Sequence, residues 1–404
     1  MANVSSSNGL EKRPKLRFPG FDEPWKETAL SSVLTERNEY AEKDGTYEHA
    51  TLSKEGIYGK TARYDRDFLV STENKKYKVT HLGDLCYNPA NLKFGVICLN
   101  TYGDAIFSPI YVTFEIDASS DPDFIGAYLT RWDFINRALK YQQGTVYERM
   151  AVSPEDFVSI KCCFPQKAEQ THLAEFITLL DKRIAAHGEY VESLKKYKRG
   201  VVRTLLSPKH CSIKNVKWTT SRIGDIGTFI KGAPLSKADI SLEGTPFILY
   251  GELYTTYNEV ISNVVRKTQA SVDKQYYSQI GDVIIPTSGE TPEEISTASC
   301  VMLPDIILAG DLNIYRCTQV DGRIMSYILN HVVNDRVARI AQGKSIVHVQ
   351  AAEISKIEIT YPDPFSQKRI IAILATISDR IDRSNAELRL LHELRKALLQ
   401  KLFI

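Results

Sequence analysis

The residue strings that come nearest to catalytic chemistry are two prolines beside amides or acids, one Gly-Lys-Ser turn and a scatter of cysteines and histidines. An adenine methyltransferase would need an [Asn/Asp]-Pro-Pro-aromatic motif, whose side chain and backbone carbonyl accept hydrogen bonds from the target amine, and a glycine-rich loop for S-adenosylmethionine. Asp121-Pro122-Asp123-Phe124 and Asn88-Pro89-Ala90-Asn91 both lack the second proline, and Gly224, Gly227 and Gly232 are spaced as turns between short strands. Ala338 to Ser345 reads A-x-x-x-x-G-K-S, but alanine replaces the first glycine. A helical pattern from Arg323 to Ile340 precedes it and an extended run follows, the reverse of the strand–loop–helix order that cradles phosphate. The eight histidines show no HExxH or comparable metal spacing, and no Ser/His/Asp or Cys/His set assembles from spacing alone. Cys86, Cys98, Cys162, Cys163, Cys211, Cys300 and Cys317 form no CxxC pair and are odd in number, which implies reduced, mostly buried thiols and no disulfide framework. The expectation is a non-catalytic chain with no metal and no cofactor of its own.

The chain that carries these strings is written twice. Residues 151–207 match residues 348–404 at a constant offset of 197. Val152 falls on Val349, Phe164-Pro165 on Tyr361-Pro362, Gln170 on Gln367, Arg183-Ile184 on Arg380-Ile381 and Leu194 on Leu391. Upstream, Trp25, Leu30 and Val33 fall on Trp218, Ile223 and Ile226, Gly83-Asp84 on Gly281-Asp282, and Gln143-Gly144 on Gln342-Gly343, with the small changes of offset that loops produce. A period this long marks a duplicated domain rather than a solenoid. Within each copy, short β-rich runs such as Phe107 to Ile116 and Asp282 to Pro286 lie among Gly, Pro, Asn and Tyr.

Each copy then ends in a long helical pattern, Lys167 to Leu206 and Gln367 to Phe403, without internal proline. Leu173, Leu180, His187, Leu194 and Val201 alternate with Ile177, Ile184, Val191, Lys198 and Leu205. Ile370, Ile377, Ser384, Leu391 and Leu398 alternate with Leu374, Ile381, Leu388, Arg395 and Leu402. Apolar residues at both heptad positions define a coiled-coil seam, and the polar breaks fall at equivalent places, His187 with Ser384 and Lys198 with Arg395. A helix of about 60 Å exceeds what one small domain can cover, so the two helices should pair. The fold expected is α+β: two globular, mixed α/β domains in pseudo-two-fold repeat, separated by two long antiparallel coiled-coil helices.

The 404 residues are too many for one ordinary core, and 43% hydrophobic with 25% charged residues describes a folded globular chain. The net charge of +2 does not by itself announce a nucleic-acid binder. Met1 to Pro14 has no apolar core of a signal peptide and no run approaches a membrane span, so a cytoplasmic protein is expected.

Pro14-Lys15-Leu16-Arg17-Phe18-Pro19-Gly20-Phe21 followed by Trp25 resembles the start of specificity subunits of Type I restriction-modification systems. Tyr87-Asn88-Pro89, Ser108-Pro109-Ile110-Tyr111, and Pro165 and Pro362 placed before Gln170 and Gln367 extend the resemblance across almost the whole chain. It implies a flexible tail (1–15), a first target-recognition domain (16–165), a spacer helix (166–207), a linker (208–216), a second target-recognition domain (217–362) and a second spacer helix (363–404). It further implies double-stranded DNA as ligand, read as a bipartite target, and two modification (methyltransferase) subunits as partners. S-adenosylmethionine would sit on those subunits, and there is room for a restriction subunit with ATP-driven translocation. Base reading needs donors and acceptors on loops, with cations holding phosphates. The candidates are Asn88, Asn91, Lys93, Arg131, Tyr141 and Gln142 in the first domain, and Lys231, Lys237, Tyr250, Ser288 and Lys344 in the second. The competing reading is a coiled-coil scaffold with two protein-binding end domains and no affinity for DNA.

Overall fold

The computed structural model describes residues 12–43, 45–60, 76–144, 150–343 and 347–404. The chain divides into two compact units, Met1–His187 with Leu388–Ile404, and Gly188–Glu387. Both cuts fall inside the long helices, Lys167–Leu205 and Pro364–Leu402, so each unit contains a globular domain, the start of one helix and the end of the other.

The second helix starts where its sequence dictates. The Asp363 carboxylate accepts hydrogen bonds from the Phe365 and Ser366 backbone amides, and Pro364 occupies the first helical position, where no donor is missed. Along the seam Leu173, Ile177, Ile184, Ile370, Leu374 and Ile381 are buried, whereas Leu180, Leu194, Ile377 and Leu391 are half-buried. In the first unit Asp181 pairs with Arg395, while Leu173 and Ile177 share a core with Leu402 and Phe403, so the two helix segments run antiparallel. In the second unit Arg380 donates to the Tyr190 hydroxyl, and Val202 and Leu205 share a core with Ile370 and Leu374, which gives the same direction.

The first unit has a four-stranded antiparallel sheet in the order Leu34–Glu36, Val112–Ile116, Leu85–Tyr87, Ile97–Leu99. A second, five-stranded mixed sheet lies beside it. Tyr87, Phe114 and Phe157 stack in the core, with Tyr87 4.6 Å from Phe157 between ring centres. The second unit has a five-stranded sheet in the order Gly227–Lys231, Leu312–Cys317, Asp282–Pro286, Ser299–Val301, Val260–Ile261, and a three-stranded one. Two runs differ from the sequence reading. The stretch 107–116 is broken at Ser108-Pro109, because a proline at this point favours a turn, into strands Ala105–Phe107 and Val112–Ile116. The pattern 323–340 is two helices, Gly322–His331 and Asn334–Ile340, parted at Val332-Val333.

One contact set is made twice. Each unit is closed by a two-stranded antiparallel ribbon, Lys26–Ala29 with Lys161–Phe164 and Trp218–Arg222 with Glu358–Pro362. The chain then turns at Pro165 or Pro362 into the long helix. There the buried Gln170 accepts from the Asp121 backbone amide and donates from Nε2 to the Pro165 carbonyl, at 2.9 and 3.0 Å. Gln367 does the same with Asp321 and Pro362, both at 2.8 Å. Asp121 and Asp321 are themselves caps, accepting from the backbone amides of Phe124 and Arg323. Each glutamine thus binds the end of the ribbon, the start of a domain helix and the start of the long helix into one buried knot. Replacing Gln367 with Ala strands two buried backbone groups and should lower unfolding free energy by about 2–4 kcal/mol, read by urea denaturation. A loss below 1 kcal/mol would mean that water replaces the amide.

Candidate nucleic-acid interface

In the second unit two adjoining clefts open beside the strand Gly227–Lys231, of about 950 and 690 Å³. Leu235, Gly310 and Asp311 line both, so they form one continuous recess. The first is lined by Lys231, Thr287, Asp311, Asn313, His348 and Gln350, and the second by Lys237, Tyr250, Glu252 and Arg266 among others. The structure therefore brings together three sequence candidates, Lys231, Lys237 and Tyr250. Ser288 is near but buried, and its hydroxyl donates to the Asp311 carboxylate at 3.0 Å, so it orients an exposed acid rather than facing DNA. Lys344 lies outside the described residues.

Sequence reasoning missed Asn313. It stands directly opposite Lys231 across two antiparallel strands, which puts both side chains on one face. Its residue is 2% exposed and its Nδ2 is buried without a hydrogen-bond partner among the described residues. An unpaired buried donor costs about 1–3 kcal/mol. The signal was present in Leu312-Asn313-Ile314-Tyr315, where one amide interrupts an apolar strand.

The first unit gathers fewer of its candidates. Asn91 and Lys93 are exposed, with the Lys93 ammonium 5.2 Å from the centre of the Phe94 ring. Phe94 and Trp132, 60% and 55% exposed, add aromatic surface that no sequence pattern announced. Asn88 is buried and its carboxamide oxygen accepts from the Ala90 and Asn91 amides, an Asx turn. Tyr141 is exposed, and Gln142 donates to the Met150 carbonyl. Arg131 requires correction as a DNA candidate. Its guanidinium lies 4.6 Å from the Tyr128 ring centre and 4.5 Å from that of Phe403, and it donates to the Tyr128 and Ile404 carbonyls. It is occupied in holding the end of the second helix in the first unit's core.

A further polar cluster sits away from the clefts. Glu259, its side chain 13% exposed, accepts from Lys198 Nζ and from His331 Nε2, each at 2.7 Å. Burial would raise its pKa, but the His331 hydrogen bond and the Lys198 charge outweigh burial and hold it down at about 2. The equivalent repeat position is used differently, since Arg395 pairs with Asp181 on the facing helix. All seven cysteines are free, burial pushes Cys98, Cys162 and Cys300 up to about 12, and no group of metal ligands occurs among the described residues. No described helix is long and apolar enough to cross a membrane.

Two copies of one α+β design, each prolonged by a heptad helix, with an open polar recess on the second, make up a duplicated domain–helix module. Residues 215–392, within the second copy, match the family model of the Type I restriction modification DNA specificity domain. No curated protein matches the sequence. Among solved structures, one chain from a study of complex assembly and conformational transition of the type I R-M system is similar at 16% identity and TM-score 0.60, covering 95% of this chain and 98% of that one. The Type I restriction-modification S subunit from M. genitalium is similar at 16% identity and TM-score 0.58, covering 97% and 99%. These two likenesses show that the fold extends over both copies.

Two outcomes follow from this geometry. Asn313→Leu removes the unpaired donor while keeping the number and branching of side-chain heavy atoms, so stability should stay level or rise by about 1 kcal/mol while DNA affinity falls; a marked loss of stability would show that the amide serves the core. The depressed pKa of Glu259 means that its contribution is complete above its unfolded value of 4.5 and is lost as pH falls toward 2. The stability difference between wild type and Glu259→Gln, about 3 kcal/mol at neutral pH, should shrink across that window in acid-dependent urea titrations. A difference independent of pH would exclude the ionised carboxylate as its source.

Proposed function

We propose that the chain is the specificity subunit of a Type I restriction-modification complex, acting in the cytoplasm and reading a bipartite duplex, one half-site with each copy of the domain. Two modification subunits dock on the paired helices and bring S-adenosylmethionine and methyl transfer, and a restriction subunit with ATP-driven translocation completes the assembly. The observation that carries this reading is the duplicated unit itself, since a repeated domain–helix module supplies two readers and a spacer in one chain. The lysine-bearing recess on the second copy favours DNA over the scaffold reading, because Lys231 has no counter-ion among the described residues and is available to a phosphate.

The test is a gel-shift selection from a pool of random-sequence duplexes, the retained ones being sequenced, using the full-length chain with the modification subunit of its own host. Sequence-specific retardation is the expected result, and a chain that assembles with its partner yet retains no duplex would establish the scaffold. Lys231→Ala and Lys237→Ala should each weaken binding similarly across sequences and reduce the slope of log affinity against log salt by about 1. An unchanged slope would place the phosphate path elsewhere.

A further inference from the structure

Lys198 interrupts an apolar seam, and its burial shows why: it leaves the seam to meet a recognition domain. We infer that the Lys198–Glu259–His331 cluster is a positioning clamp that sets the angle of the second recognition domain on the first long helix, and thereby the number of base pairs between the two half-sites. The inference rests on the DNA-reading function proposed above.

Glu259 is held from three sides. Its backbone carbonyl accepts from the Cys300 amide at 2.8 Å and from the Ser326 hydroxyl at 2.7 Å, while the preceding carbonyl of Asn258 accepts from Ser299 at 2.7 Å. Its carboxylate then takes one hydrogen bond from His331, the last residue of Gly322–His331, and one from Lys198 of the long helix. Lys198 lies in addition 5.4 Å from the centre of the Tyr327 ring. Lys195, Arg199 and Asp382 line the same recess of about 330 Å³. With Lys198, His331 and the acid all close to 90% covered, the Lys198–Glu259 pair tolerates little change of angle, because moving either partner leaves a buried charge unmatched.

The placement gives the clamp leverage. Glu259 adjoins Val260–Ile261, the strand at one edge of the five-stranded sheet, and Gly227–Lys231, which carries the cleft, is the opposite edge. Four strand spacings separate them, about 19 Å. A turn of roughly 10° at the clamp would carry the cleft about 3.3 Å, which is close to one base-pair step. The apolar contacts of the helix end, Val202 and Leu205, hold the domain to the helix but restrict rotation less, since dispersion contacts have no preferred direction.

The experiment selects duplexes from a library in which both half-sites are random and the gap between them varies, using the full-length chain with its modification subunit. Wild type should enrich two half-sites at one gap length. Lys198→Met and the near-isosteric Glu259→Gln should enrich the same half-sites with the gap spread to at least one neighbouring length. Arg395→Met, at the equivalent repeat position but paired to Asp181 on the facing helix, should keep the single gap, and serves as the control for general loosening of the helices. Retention of a single gap by both clamp variants would overturn the inference, as would a spread gap in Arg395→Met or an altered half-site in the clamp variants. Failure of wild type to enrich any bipartite sequence would instead overturn the DNA-reading function.

Discussion

The rest of the molecule depends on the glutamine knot at the root of each long helix. A helix of 39 residues that left its domain through a flexible hinge would hold no fixed direction. Gln170 and Gln367 prevent this by satisfying two backbone groups that the turn at the proline would otherwise leave buried and bare. Neither side chain can be exchanged for a hydrophobe of similar size without losing both bonds. The helix start, the ribbon end and the capped domain helix are consequently one rigid body in each unit.

From that root the two copies diverge in how they use polar residues at equivalent positions. Arg395 joins helix to helix and Lys198 joins helix to domain, although both occupy the same heptad place. A polar residue in a seam sets specificity only through the partner it meets, and the two partners here are on different elements. The attachment of each domain differs accordingly: the first unit closes around apolar Leu402 and Phe403 under the Arg131 guanidinium, and the second adds an ionic clamp to its apolar contacts.

The fold was legible where a pattern had a single physical solution. Five heptads admit only a long helix, and the recurrence of Trp, Gly-Asp, Gln-Gly and Pro followed by Gln required a duplicated domain. Gly83 and Gly281 show why such anchors persist between diverged copies: both adopt positive φ, at 89° and 96°, ahead of a buried aspartate that pairs with Arg37 or Arg316. The recess was legible only in part. Lys231, Lys237 and Tyr250 come together because of sheet order, which no local pattern encodes, and Asn88, Ser288 and Arg131 are typical recognition residues that this fold occupies with turns, an acid and a helix end. Phe94 and Trp132 are exposed on separate elements, so sequence offered no cue to them.

The capture of Leu402 and Phe403 has a consequence for how the protein is made. The first domain's own strands are complete once Phe164 has left the ribosome, yet its core lacks two of its apolar side chains until roughly 240 further residues have been added. At 5–20 residues per second that interval is about 10–50 s. Throughout it, the pocket between Trp25, Phe124 and Tyr128 that receives Phe403 is open to solvent and to other nascent chains. The first domain is therefore sealed only after the second has been made, and its apolar pocket stays uncovered until Leu402 and Phe403 have been added.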